Sequence, residues 1–144
     1  MYYGSFAYNL DDKNRLVIPK RFRDSISKKL YILKGYEGCL SIFNESDFSS
    51  YMSKLENLPF EDKLSRDVLR ISLASIVEVE VDKANRIQIP TQIIKDYGIS
   101  KEVIVNGVIN HFEVWSKDKW EEYKLDNERN FENKQQDLFD KYHG

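Results

Sequence analysis

Apolar and polar residues alternate strictly in two stretches that lie about half the chain apart. Phe6, Tyr8 and Leu10 alternate with small or polar residues, and Val77, Val79 and Val81 alternate with Glu78 and Glu80. A period of two predicts a half-buried strand in each stretch. A polar word interrupts the pattern at Asp11 to Arg15 and again at Asp82 to Arg86. The alternation then resumes with Leu16 and Ile18 in one case and with Ile87 and Ile89 around Gln88 in the other. Each stretch therefore predicts a strand, a tight turn at a hairpin tip and a second strand. Pro19 and Pro90 close those second strands, and their fixed φ suits the first turn of a following helix, KRFRDSI or TQIIKDY.

These similarities are an internal repeat. DDKNRLVIP at 11 to 19 returns as DKANRIQIP at 82 to 90, with Asp11, Asn14, Arg15, Ile18 and Pro19 matched by Asp82, Asn85, Arg86, Ile89 and Pro90. With one inserted residue, LYILKGYEGCLSIF at 30 to 43 resembles EVIVNGVINHFEVW at 102 to 115, Gly35 standing opposite Gly107 and Phe43 opposite Trp115. Each half reads as strand, turn, strand, helix, hairpin, helix. Neither is long enough to bury a core alone, so the halves are expected to complete one another. The chain divides into a first repeat with its helix (1–60), a connecting helix (61–76), a second repeat with its helix (77–125) and an acidic C-terminal helix or tail (126–144).

Between the repeats the period lengthens to that of a helix. Ser46 to Leu58 and Glu61 to Ile76 are two predicted helices divided at Leu58-Pro59, the first capped by Asn44 or Ser46. Leu64, Val68, Ile71 and Ser75 form an apolar stripe on the second, with Arg66 and Arg70 outside it, and the stripe is expected in the core. In the tail, Phe131, Leu138, Phe139 and Tyr142 form one weak apolar face. Two readings stand for it: a helix docked on a neighbouring subunit, or a mobile acidic extension that restrains nonspecific binding.

Composition adds bounds. The 144 residues are 41% hydrophobic and 32% charged, the balance of an ordinary soluble globular protein. No apolar run approaches the roughly 20 residues that span a bilayer, and MYYGSFAYNL lacks the pattern of a signal peptide, so a cytoplasmic address is expected. Cys39 is the one cysteine and reads as a buried thiol in an apolar strand. The net charge of -2 conceals a basic N-terminal quarter, with Lys13, Arg15, Lys20, Arg21 and Arg23 among its cations, and an acidic end beyond position 110. A clustered basic patch governs encounter with a polyanion even when the whole chain is near neutral.

Turn chemistry narrows the role of the repeated word. Asparagine tolerates a left-handed backbone better than other residues with a side chain, so Asn14 and Asn85 mark the bend. Asp11 and Asp82 are placed to cap backbone N–H groups while pairing with Arg15 and Arg86. The other reading of these arginines is a DNA probe, since a two-stranded ribbon fits the major groove and arginine can donate two parallel bonds to guanine. Both readings hold together if aspartate orients the arginine and leaves its outer donors available.

The two D-x-x-x-R-x-x-x-P words, the EVEV lead-in at 78 to 81 and FEVWSKDKWEEY at 112 to 123 resemble the MraZ family of bacterial transcriptional regulators, from Met1 to about Tyr123. The resemblance implies an α+β, mainly β fold: a pseudo-two-fold tandem AbrB-like swapped-hairpin barrel with flanking helices, assembling into a ring of eight or twelve subunits. It further implies binding of double-stranded DNA at repeated promoter boxes of the cell-division and cell-wall gene cluster, its own operon included, and a nucleoid-associated location. Carried over residue by residue, the DNA-contacting set is Lys13, Asn14 and Arg15, with Asn85 and Arg86 in the second word and Asp11, Pro19, Asp82 and Pro90 shaping the loops. The family usually has glycine where Asn14 and Asn85 stand, and Ala84 replaces the lysine of the first copy, with neighbouring Lys83 supplying charge. The first loop is therefore expected to be the stronger reader. Lys20, Arg21 and Arg23 are expected to contact phosphates, which position a protein without reading sequence.

An enzyme is not expected. The chain has no P-loop, His111 and His143 lie far apart in sequence, and no His, Cys or carboxylate spacing resembles a metal site, so neither cofactor nor catalytic residue is assigned. The competing reading is an antitoxin-like protein-interaction module, since related swapped-hairpin folds bind a toxin through a tail. Antitoxins of that type have one hairpin word, whereas this chain has two.

Overall fold

The computed structural model describes residues 1–143. In the first half, β1 (Ser5–Asn9) and β2 (Arg15–Val17) lead to a 3-10 turn (Lys20–Ser25), the hairpin of β3 (Lys29–Lys34) and β4 (Leu40–Asn44), and α1 (Glu45–Glu56). After α2 (Lys63–Ala74) the series returns as β5 (Val77–Glu80), β6 (Arg86–Gln88), α3 (Thr91–Tyr97), β7 (Glu102–Gly107), β8 (Phe112–Ser116) and α4 (Lys117–Arg129). A last helix, α5 (Phe131–His143), follows. Asn44 caps α1 by accepting from the Asp47 N–H at 3.0 Å.

The strands exchange partners between the halves. Six form an antiparallel sheet in the order β1-β7-β8-β4-β3-β5, and β2 and β6 pair with each other in a separate two-stranded ribbon. β1 lies on β7 with Phe6 opposite Val105, and β5 lies on β3 with Val79 opposite Leu30. Exchanging equivalent strands of the two halves reverses the sheet order, so a pseudo-two-fold passes between β8 and β4, where Leu40 faces Val114.

This arrangement corrects two expectations. The strands on either side of Asp11 to Arg15 do not pair into a local hairpin, because β1 finds its ladder on β7 and β2 finds its own on β6. Nor do the strands close into one barrel, since the β2–β6 ribbon is separate from the open six-stranded sheet. The exchange is favoured by burial. Leu16, Ile18, Ile87 and Ile89 from the ribbon join Leu30, Ile32, Val103 and Val105 from the sheet in one core that neither half could enclose. Burying an aliphatic side chain of this size stabilises by about 1.5–3 kcal/mol. Phe22, carried on the 3-10 turn, plugs one end with Tyr2 edge-on at 5.0 Å.

On the other face of the sheet, Cys39, Ile104 and Trp115 pack under Trp120 of α4. Cys39 is fully buried, and burial together with the nearby Glu113 carboxylate pushes its thiol far above the usual range. Gly107 allows the N-terminal segment to pass: a Cβ there would collide with the backbone of Tyr2 and Tyr3, which bonds across to Ile109.

The α2 stripe is a further correction. Leu64, Val68 and Ile71 are exposed, whereas Ser65 is buried and Leu69 and Ser72 are half-buried. Residues 131–143 form a helix, α5, all of whose residues are exposed. Among the described residues no helix is long and apolar enough to cross a membrane.

Candidate nucleic-acid interface

Each repeated word folds into the same hydrogen-bonded loop. In the first, Asp11 Oδ1 accepts from the Lys13 and Arg15 N–H groups at 2.9 and 2.8 Å, and Arg15 Nε donates to Asp11 Oδ2 at 2.6 Å. In the second, Asp82 Oδ1 accepts from Ala84 and Arg86 at 2.9 Å each, and Arg86 Nε donates to Asp82 Oδ2 at 3.0 Å. Asn14 and Asn85 both sit at φ 59°, the left-handed bend that the sequence called for. The main chain closes each loop, with the Asp11 N–H on Arg15 O at 3.2 Å and the Asp82 N–H on Arg86 O at 2.9 Å.

The two carboxylates ionise more readily than ordinary aspartates. For Asp11 the largest influence, desolvation, acts to raise the group, but the Arg15 amide, the Arg15 guanidinium and the Lys13 amide together outweigh it. For Asp82 the Arg86 amide bond leads, and desolvation opposes it. Each aspartate stays charged and aims its arginine by Nε, which is the one guanidinium nitrogen of Arg15 and Arg86 that is hydrogen-bonded among the described residues.

The ribbon joins the two loops. β2 and β6 run antiparallel with Arg15 opposite Gln88, Leu16 opposite Ile87 and Val17 opposite Arg86. Because strand side chains alternate, Leu16 and Ile87 enter the core while Arg15, Val17, Arg86 and Gln88 share the outer face. Bonds from one repeat to the other extend this pairing beyond the strands. The Ile18 N–H donates to Asn85 O at 2.8 Å, the Ile89 N–H to Asn14 O at 2.9 Å, and Gln88 Nε2 to Lys13 O at 3.1 Å. Asn14 Nδ2 reaches Thr91 Oγ1 at 3.5 Å. Arg86 Nη1 also stands 3.9 Å from Asp11 Oδ2, so Asp11 faces an arginine from each repeat.

The remaining candidates lie in the two loops and just after the ribbon strands. Lys13, Lys83 and Lys20 are exposed, and Pro19 and Pro90 precede the 3-10 turn and α3. Arg21 lies over the Tyr3 ring at 5.0 Å, and Arg23 Nε donates to Ile18 O at 3.0 Å, so both have a structural use at the turn. Sequence reasoning passed over Val17 and Gln88. Their signal was their alternation with Leu16 and Ile87, legible as one shared face only once β2 and β6 are known to pair. Among the described residues no group of three or more His, Cys, Asp or Glu side chains is placed to hold a metal ion.

The fold and this face define a class: a tandem-repeat protein whose halves exchange strands and present one paired-arginine ribbon. A family model described as "MraZ protein, putative antitoxin-like" matches twice in succession, at residues 1–71 and 73–142, and the chain belongs to that family. Its relatives include proteins called transcriptional regulator MraZ. That of Acetivibrio thermocellus is 40% identical over 126 residues, covering 88% of each chain. That of Desulforamulus reducens is 33% identical over 140 residues, covering 97% of this chain and 99% of the relative. That of Oenococcus oeni is 36% identical over 140 residues, covering 97% and 98%.

Proposed function

We propose that this chain is a sequence-specific regulator of transcription that binds double-stranded DNA at repeated promoter boxes of the cell-division and cell-wall cluster, its own operon included. It acts as a ring of eight or twelve copies in the cytoplasm, associated with the nucleoid. The observation that carries the reading is the convergence of Arg15 and Arg86 on one outer face, each held by its own aspartate. A two-stranded ribbon suits the major groove, where an arginine spans guanine O6 and N7 and each good pair contributes about 1–3 kcal/mol of discrimination. Because the side chains are oriented before DNA arrives, less conformational freedom is lost on binding.

The rest of the face fits the same task. Gln88 has the amide that reads adenine, and Val17 offers an apolar surface to a thymine methyl. Lys13, Lys83 and Lys20 supply charge to phosphates, with Arg21 and Arg23 behind them. A ring repeats the ribbon, and linked binding events raise avidity on repeated boxes without new contacts.

Fluorescence anisotropy tests the proposal, using a duplex from upstream of the chain's own gene and a scrambled duplex at two salt concentrations. The native duplex should be preferred, and Arg15→Ala should abolish that preference, whereas Lys20→Ala should weaken both duplexes alike. Equal loss on both duplexes with Arg15→Ala would remove its base-reading role. No binding to either at low salt would refute the proposal and favour an antitoxin-like interaction module.

A further inference from the structure

Two apolar helix faces stand outside the sheet and the ribbon. On α2, Leu64, Val68 and Ile71 are 71%, 43% and 63% exposed. Val68 and Ile71 also line a groove of about 370 Å³ with Leu33, Tyr36 and Tyr51, in which Lys34 is the one charged lining residue among those described. On α5, Leu138, Phe139 and Tyr142 are 58%, 57% and 67% exposed and border a shared hollow with Gln135. A helix of 13 residues is marginal in water without a packed face. Apolar stripes of this kind mark interaction surfaces.

We propose that α5 of one copy docks along the α2 face of a second copy. Charge selects this pairing over like with like. α2 carries Lys63, Arg66 and Arg70 against Asp67, while α5 carries Glu132, Asp137 and Asp140 against Lys134 and Lys141. α2 against α2 sets cations together, α5 against α5 sets carboxylates together, and α2 against α5 pairs opposite excesses. The duplication supports the same choice. The two family matches run through most of α2 and through α5, so α5 holds in the second repeat the position of α2 in the first. Each copy then offers one face of each kind, a heterologous contact that propagates from copy to copy and closes when the rotation allows. The inference rests on the ring assembly proposed above and names its contact.

Sedimentation velocity on the full chain and on Ile71→Glu and Phe139→Glu tests it. Both positions are exposed, so near-ultraviolet circular dichroism, which reports packing of the core, should match the wild type. The wild type should sediment as a large oligomer and each variant alone as a monomer. An equimolar mixture should give a dimer and nothing larger, because one variant keeps α5 intact and the other keeps α2. A monomeric wild type would overturn the ring itself and this contact with it, leaving the anisotropy test of DNA binding untouched. An oligomer that either variant leaves intact would overturn the contact alone and free that face for another protein. Variants that each stop at a dimer on their own would assign like-with-like pairing and overturn the proposal, as would variants that stay monomeric when mixed.

Discussion

The two loops have the same internal wiring and different surroundings. In each, an aspartate accepts two backbone N–H bonds and one guanidinium bond around an asparagine at φ 59°. Yet Asp11 faces both Arg15 and Arg86, whereas Asp82 pairs among the described residues with Arg86 alone. The Lys13 carbonyl of the first loop also accepts a bond from Gln88, whereas Val17, the repeat equivalent of Gln88, has no amide to offer the Ala84 carbonyl of the second. A duplicated word can thus keep its fold in both copies while one copy becomes the hub of the joint face.

Four experiments would break or sharpen that contrast. The largest effect belongs to the side on which the loops are equivalent. Leu16→Ala and Ile87→Ala empty matched buried positions and should each cost about 2–5 kcal/mol in urea unfolding. Unequal costs beyond the spread of that range would show that the halves contribute unevenly to the core. Next comes the hub. Asp11→Ala should lower affinity for the promoter duplex at least about tenfold more than Asp82→Ala, a difference of about 1.4 kcal/mol, because it frees Arg15 and also removes the second carboxylate that faces Arg86. Matching losses in anisotropy would reduce the Arg86–Asp11 approach to a bystander.

Asn14→Ala and Asn85→Ala should each cost about 1–2 kcal/mol, since a Cβ without a polar partner disfavours the left-handed bend. Glycine at the same positions should fold as well as asparagine. The smallest effect concerns acid. Both carboxylates are depressed in the folded state, so their stabilisation is present above the unfolded value near 3.8 and is lost as pH falls through the lower folded values. The double change Asp11→Asn with Asp82→Asn should therefore flatten the decline of stability below about pH 4, read by thermal unfolding across pH 2 to 5. An unchanged slope would move acid sensitivity to other carboxylates.

Much of this was legible in the chain. Alternation located the strands, the aspartate-to-arginine spacing located the loops, and asparagine announced the positive φ. The partner of each strand was not legible. Phe6, Tyr8 and Leu10 bury one face equally well whether the ladder comes from β2 or from β7, and only the enclosed volume of the whole core decides. The α2 stripe misled for a related reason. Leu64, Val68 and Ile71 report that an apolar face needs cover, and nothing in their spacing says whether the same molecule provides it. Val17 and Gln88 escaped notice because a surface shared by two distant segments has no signature in either segment alone.

The strand exchange has a consequence during synthesis. β1 leaves the ribosome long before β7, its ladder partner, exists as polypeptide. At about 5–20 residues per second, the interval between Ser5 and Glu102 lasts roughly 5 to 20 s. Through that time Phe6 and Tyr8 belong to an unpaired edge, the kind of segment that pairs with whatever strand it meets. On a polysome that strand could be the β7 of a copy further along the same messenger. Translation speed between the two repeats therefore sets how long that edge stays open.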